Sequence, residues 1–199
     1  MRSLDSYADY QVMGQNLRHL ILGLGSFWLL ANRFMLEENL GTSGPDGLVQ
    51  IDPEAWYPLV SNLRVIARVR KDFGEVAVRQ SASHIPTLAR FPPTVADIHS
   101  AFDALDMAYH MNHGVNGRAL YCPETGVMQE GIGHFRSRSI PGQKQILCQC
   151  TTPYSCCFDE GLLLALAQRY EPSASITHLE PLRCRAHGSE SCTYSILWT

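Results

Sequence analysis

The chain has 199 residues, 45% of them hydrophobic, and a formal net charge of -3. That is length enough for one large domain or two small ones with a sizeable core. The charge leaves no basic footprint, so nucleic acid is not expected as a direct partner.

The opening residues, Met1 to Ser6, are polar and mixed in charge, unlike a signal peptide. The most apolar run, Leu20 to Ala31, contains Gly23, Gly25 and Ser26 and is too short to span a bilayer. A cytoplasmic location is expected. Leu17, Leu20, Ile21, Leu24, Trp28 and Ala31 recur at helical spacing, which predicts one long helix or a broken pair over 11–39. Asp52-Pro53-Glu54 has the residues of a helix start, with Trp56, Leu59, Val60, Leu63, Ile66 and Val69 following on one face. Gly74 is placed to end that helix, and a further helical piece is expected over 75–83. The next helix is expected to open at Thr94 as its cap. Val95, Ile98, Phe102, Leu105 and Tyr109 make its apolar stripe; His99, Asp103, Asp106, His110 and His113 make a polar one beside it. Gly114 should stop it.

Beyond Gly114, turn residues separate short runs that read as strands: 118–122, 127–136, 144–151, 175–182 and 192–198. Ile146, Cys148 and Cys150 share one face, as do Cys192, Tyr194, Ile196 and Trp198. The helix 159–170 between them is apolar on nearly every side, so it should be buried. The fold class is α+β: N-terminal helices, then a mostly antiparallel sheet with an inserted buried helix. A single domain over 1–199 is expected, mainly helical over 1–114 and sheet-rich over 115–199.

Six of the seven cysteines lie between Cys148 and Cys192. In a reducing compartment such a cluster points to thiols or metal ligands rather than disulfides. Cys184, His187 and Cys192 flank Gly188-Ser189, where a tight turn would aim their side chains at one point. Cys156 or Cys157 would join them from across the inserted helix. Zinc takes such thiolate and imidazole ligands, and the expected structural zinc site is Cys156, Cys184, His187 and Cys192. Glu130 and His178 are rivals for the fourth position. The plain alternative is buried free thiols; redox-active pairs and an iron–sulfur cluster also stay open. No lysine or arginine stands where it would obviously activate one of these thiols.

The pattern Cys156-x-Phe158-Asp159-x-Gly161, a strand with His178, then Cys184-x-x-x-Gly188 and Cys192-Thr193-Tyr194 resembles the 4-vinyl reductase domain family. The resemblance covers about the last fifty residues. It implies a fold shared with TRAPP vesicle-tethering subunits and with the sensor domains of phenol- and xylene-responsive bacterial activators. It also implies zinc held by cysteines, sometimes completed by a carboxylate, and a homodimer through the N-terminal helices. A porphyrin-related ligand stays open because of the chlorophyll-pathway members. Cys157 departs from the usual pattern.

The two stripes of the helix ending near Gly114 would place polar groups at the lip of an apolar space. His110, His113, Tyr109, Trp56 and Phe102 are the candidate ligand-binding residues. Asp106 with His110, four apart, also suits a second metal site or a haem-ligand helix; the plain alternative is a solvated polar face. The expected function is sensing of an aromatic or other apolar small molecule, with zinc as a staple and an output protein as partner. The alternatives are a haem- or porphyrin-binding sensor, a reductase of the tetrapyrrole pathway, or a lipid-holding scaffold. No nucleophile–base–orienter set and no nucleotide-binding glycine loop stands out, so an enzyme is the less expected class.

Overall fold

The computed structural model describes residues 3–89 and 91–199. After a short 3-10 turn (Leu4–Tyr7) the chain forms β1 (Tyr10–Met13), α1 (Gly14–Gly23), a second 3-10 turn (Gly25–Phe27) and α2 (Trp28–Glu37). The expected 11–39 helix is thus a broken pair, bent by 112°, and its first residues are a strand. No single described helix is long and apolar enough to cross a membrane. Three short strands follow: β2 (Thr42–Ser43), β3 (Val49–Gln50) and β4 (Trp56–Pro58).

The helix start expected at Asp52-Pro53 is a turn instead. The Asp52 carboxylate accepts the Glu54 N–H at 2.9 Å, and the helix begins only after β4. Trp56 and Pro58 pair with β1, across from Met13 and Gln11. A capping carboxylate and a tight Asx turn use the same local hydrogen bond, so the sequence signal is ambiguous.

The span α3 (Leu59–Leu88) contains the helix expected to end at Gly74 and the one expected over 75–83, the first beginning later than expected and the second running on to Leu88. As expected, Gly74 (φ 83°, ψ 176°) is non-helical and divides this span into two helices that meet at a kink. Helix α4 (Ile98–Met111) is capped by Asp97, not Thr94: Asp97 accepts the Ser100 N–H, and the Ser100 hydroxyl meets the Asp97 N–H in return. The short β5 (His113–Val115) and β6 (Arg118–Ala119) complete a four-stranded antiparallel sheet in the order β4-β1-β5-β6.

The second sheet holds β7 (Phe135–Ser139), β8 (Gln145–Cys150), β9 (Ser175–Leu179) and β10 (Cys192–Leu197), in the order β7-β8-β10-β9 and antiparallel throughout. The 127–136 strand is displaced toward its C-terminal end. β8 and β10 align Cys150 with Cys192, Cys148 with Tyr194 and Ile146 with Ile196, so the expected face of alternating residues is the buried one. Helix α5 (Cys156–Tyr170) lies between β8 and β9 in sequence and buries Phe158, Leu162, Leu163, Leu166 and Ala167.

α5 packs on α3 at backbone distance through Gly161. A Cβ there would sit 2.3 Å from the Arg79 carbonyl oxygen. Alanine normally favours a helix interior over glycine by about 1 kcal/mol. Here the steric cost of overpacking, about 1–3 kcal/mol, is expected to win. Gly161→Ala should lower the urea midpoint; an unchanged or raised midpoint would show that the two helices are not seated this closely.

Candidate metal centre

Cys156 is the first residue of α5, His178 lies on β9, Cys184 precedes a 3-10 turn (Arg185–His187), and Cys192 opens β10. One ligand atom from each lies within 4.8 Å of the others. The Cys156 Sγ is 3.8 Å from the Cys184 Sγ and 3.4 Å from the Cys192 Sγ. Thiolates on one tetrahedral zinc stand about 3.8 Å apart, given Zn–S of about 2.3 Å.

The fourth member is His178, not His187. His187 is exposed on the turn. The Cys184 carbonyl accepts N–H groups from both His187 (2.9 Å) and Ser189 (3.1 Å), which curls the backbone around Cys184 and sends the His187 ring outward. His178 pairs across the ladder with Tyr194 and stacks on its ring at 4.6 Å. Its Nε2 is buried with no hydrogen-bond partner. Neither Cys157 nor Glu130 belongs to the group. Cys157 is buried, with its sulfur 3.3 Å from the Ser155 hydroxyl. Glu130 is bound to His134 at 2.6 Å.

A buried ion pair supports the centre. Asp159 is fully buried and Arg185 is 5% exposed. Arg185 donates from Nη2 to the Asp159 carboxylate, from Nη1 to the carbonyl and hydroxyl of Thr152, and from Nε to the Cys192 sulfur at 3.3 Å. The Thr152 hydroxyl donates to Asp159 as well. The Cys156 contact and then Arg185 push the Cys192 thiol well below its usual range, while Cys156 is pushed up. Arg185 is thus a cation beside one of the clustered thiols, a neighbour that the sequence does not reveal. Tyr194 donates its hydroxyl to the Cys156 carbonyl at 2.8 Å, fixing the start of α5.

The polar stripe of α4 divides. His99 and Asp103 face solvent, Asp106 is half-buried, and His110 and His113 are buried. Asp106 accepts the Phe135 N–H at 2.9 Å and meets His134 Nδ1 at 2.8 Å. His110 donates from Nδ1 to the Asp106 carbonyl at 2.7 Å, and its Nε2 is buried without a partner. Nothing in the sequence singles out His134, which follows Gly131-Ile132-Gly133 and has no periodicity to reveal it.

Of the other candidate ligand residues, Phe102, Tyr109 and His113 are buried and Trp56 is half-buried. The Tyr109 hydroxyl donates to the Ile132 carbonyl at 3.1 Å. Trp56 lies on β4, over Gly114. His113 joins the Tyr109 carbonyl and the Tyr154 hydroxyl, each at 2.7 Å. The described residues leave clefts of about 580 Å³, bordered by Asn39, Thr42, Ile51 and Tyr57, and about 380 Å³, bordered by Ser83, Ala165 and Arg169. None of the five candidate ligand residues borders either cleft.

Burial holds the pKa of His113 down to about 4, from an ordinary 6.5. Below about 6.5 the unfolded chain takes up a proton that the folded chain refuses until about 4. Stability from this residue therefore rises with pH across that window, by about 3 kcal/mol at most. Asp159, whose carboxyl burial raises to about 6 against the pull of Arg185, has the opposite slope in the same range. Comparing wild type with His113→Gln isolates the histidine. The variant should lose relatively less stability than wild type between about pH 7 and about pH 4.5 in urea melts. Identical pH dependence would show that His113 is not held neutral.

No family model and no curated protein matches the sequence. Solved structures do match. One is an H-NOX protein from Shewanella oneidensis in the Fe(II)NO ligation state, at 16% identity and TM-score 0.63, covering 94% of this chain and 99% of that one. A second, described under the function of heme distortion in the H-NOX family, has 14% identity and TM-score 0.64, and covers 94% of each chain. A third, a point mutant of the Fe(II) unliganded H-NOX protein from K. algicida, has 9% identity and TM-score 0.59, covering 94% and 96%. These neighbours overturn the resemblance to 4-vinyl reductase domains and TRAPP subunits, which is a different fold. Its cysteine spacing is a pattern of one local site, and such a pattern does not specify the path of the remaining chain. At this level of identity the likeness establishes architecture: this chain has the α+β fold of H-NOX domains.

Proposed function

We propose that this chain is a sensor domain built on the H-NOX architecture, stapled by a zinc ion on Cys156, His178, Cys184 and Cys192. The observation supporting the staple is convergence: four donors from separate elements lie within 4.8 Å of one another. The unpartnered Nε2 of His178 supplies the lone pair that such an ion needs. Four protein ligands make a closed, structural site, so the ion would hold α5, β9 and β10 together rather than bind substrate. Metal analysis and native mass spectrometry after gentle purification should find one zinc per chain that His178→Ala weakens. A metal-free, fully folded protein would sink this reading.

The solved neighbours named for heme and for Fe(II) ligation support the haem alternative over an aromatic effector. His110 meets one requirement of a haem ligand: a buried imidazole with Nδ1 anchored and Nε2 free. A haem there would supply an iron for a diatomic gas. The His110 ring lies 5.2 Å from the Tyr109 ring and 5.0 Å from the His134 ring. Next to it the Tyr109, His113, Tyr154 and Phe158 rings are in mutual contact. The His110 imidazole is placed as an axial ligand would be. Haemin titration decides: a stoichiometric Soret band abolished by His110→Ala would establish haem binding, and its absence would remove that alternative.

A sensor of this kind would pass its state to a partner. We place the homodimer contact on α1 and α2. Leu22, Phe27, Trp28, Leu29 and Leu30 are 39–61% exposed there, a grouping that favours burial against a partner. Light scattering at high concentration tests this; a monomer removes it.

A further inference from the structure

We propose that the outer side of the second sheet, along β7, docks an extended acidic segment of a partner protein, with Arg136 and Arg138 meeting carboxylates two residues apart. The proposal rests on the reading that this domain signals through a partner, and it requires neither zinc nor haem.

Strand pairing defines the surface. Arg136 lies opposite Gln149, and Arg138 opposite Leu147. Residues paired across a sheet share a side, and the side alternates along each strand. Farther across, Leu179 and Leu197 therefore face the same way, and they are 37% and 45% exposed. Arg136, Arg138 and Gln149 are exposed as well. The helices packed on this sheet, α4 and α5, lie against its other side, where Phe135, Cys150 and Tyr194 are buried.

Charge says what fits there. None of the 19 acidic residues of the chain lies on the four strands of this sheet, and none lies anywhere over 131–158. That stretch holds Arg136, Arg138 and Lys144. The surface is thus positive on a chain whose formal net charge is -3. Among the described residues neither arginine makes an ion pair. Glu130, on the loop before β7, is turned to His134 at 2.6 Å. The arginines of α3 are answered: Arg64, Arg68, Arg70 and Arg79 each pair with a glutamate. Two unanswered guanidinium groups beside exposed leucines suit a carboxylate-bearing partner. Arginine grips a carboxylate through two parallel N–H bonds, and charge complementarity steers encounter and rejects wrong partners.

Spacing selects an extended segment. Arg136 and Arg138 stand about 7 Å apart along β7, two rises of about 3.4 Å. Carboxylates at alternate positions of an extended chain repeat at the same distance. Charges on an edge strand also discourage edge-to-edge pairing. That role survives exchange of both arginines for glutamate, whereas acidic docking does not, and the experiment uses this difference.

The probe is a synthetic peptide alternating glutamate with serine, titrated into the full chain and followed by nitrogen–proton NMR. It should shift the amide signals of Arg136, Arg138, Leu147 and Gln149. The double variant Arg136→Glu with Arg138→Glu should stay folded by circular dichroism and bind about tenfold more weakly or worse. Arg18→Glu with Lys71→Glu, the same change in net charge on α1 and α3, should bind as wild type does. Raising salt from about 0.01 M to about 0.15 M shortens the screening length from about 30 Å to about 8 Å, and the affinity should fall with it. Wild type without shifts at any soluble peptide concentration overturns the proposal, as do shifts that map to another surface. So does a double variant that binds as tightly as wild type. The same shifts produced by an oligothymidylate or by phosphatidylserine vesicles overturn it too, since the surface would then take polyanions or membranes in general. A chain without zinc or haem that still binds the peptide would count against the metal readings and leave this one standing.

Discussion

Cys184→Ser is expected to lower stability by about 5 kcal/mol or more, and chelation of wild type should have a comparable effect. Structural zinc binding contributes folding free energy directly, because the unfolded chain has no assembled site. The whole stability of a domain is about 5–15 kcal/mol, so a loss of this size leaves a marginal protein. For a chain of this length each kcal/mol moves the melting temperature by about 2–4 °C, so a drop of at least about 10 °C is expected. Cys157→Ser is the control. Cys157 neighbours Cys156 in sequence and is also buried, but it lies outside the ligand group. It should cost far less and leave the metal content unchanged. Differential scanning fluorimetry with and without chelator reads both. Equal melting curves for metal-replete and chelated wild type would refute the staple.

Asp159→Ala is expected to cost about 3–5 kcal/mol, because it strands the Arg185 guanidinium in the interior without its counter-charge. Arg185 is 5% exposed, and Asp159, Thr152 and Cys192 receive its hydrogen bonds. The loss is the penalty of an unpaired buried charge more than the net worth of the pair. A double variant, Asp159→Leu with Arg185→Met, should therefore be more stable than Asp159→Ala alone. Because Arg185 also donates to Cys192, the double variant should release zinc to a chelator faster than wild type. Chemical denaturation measures the first result and chelator-transfer kinetics the second. A single variant within about 0.5 kcal/mol of wild type, the range of ordinary surface changes, would mean the pair is not buried as described.

Much of the architecture was legible without coordinates. The apolar periodicity of Leu59, Leu63, Ile66 and Val69 returns as the buried side of α3. The alternation in 144–151 and 192–198 returns as two neighbouring strands of one antiparallel sheet. These signals survive because a 3.6-residue or two-residue period is written wherever one side of an element is buried. Element starts fared worse. Asp52 and Thr94 both have cap chemistry, yet the caps are Pro58 and Asp97. A turn and a helix start satisfy the same few N–H groups, and only the neighbouring strand decides which is built. The similarity to another family also misled, because it rested on one cluster of cysteines near the C-terminus.

By itself the sequence determined which residue types were available: a cysteine cluster, histidines on one helix, an inserted helix too apolar to be exposed. Only the tertiary structure decided which of them meet. It exchanged His187 for His178, by folding β9 against β10 and turning the 185–187 backbone outward. It brought His134 to Asp106 across 28 positions, and Arg185 to Asp159 across 26. Donors so far apart in the chain leave no periodic trace. Their meeting is set by strand pairing and helix packing, which depend on the burial of the whole core rather than on any local run of residues.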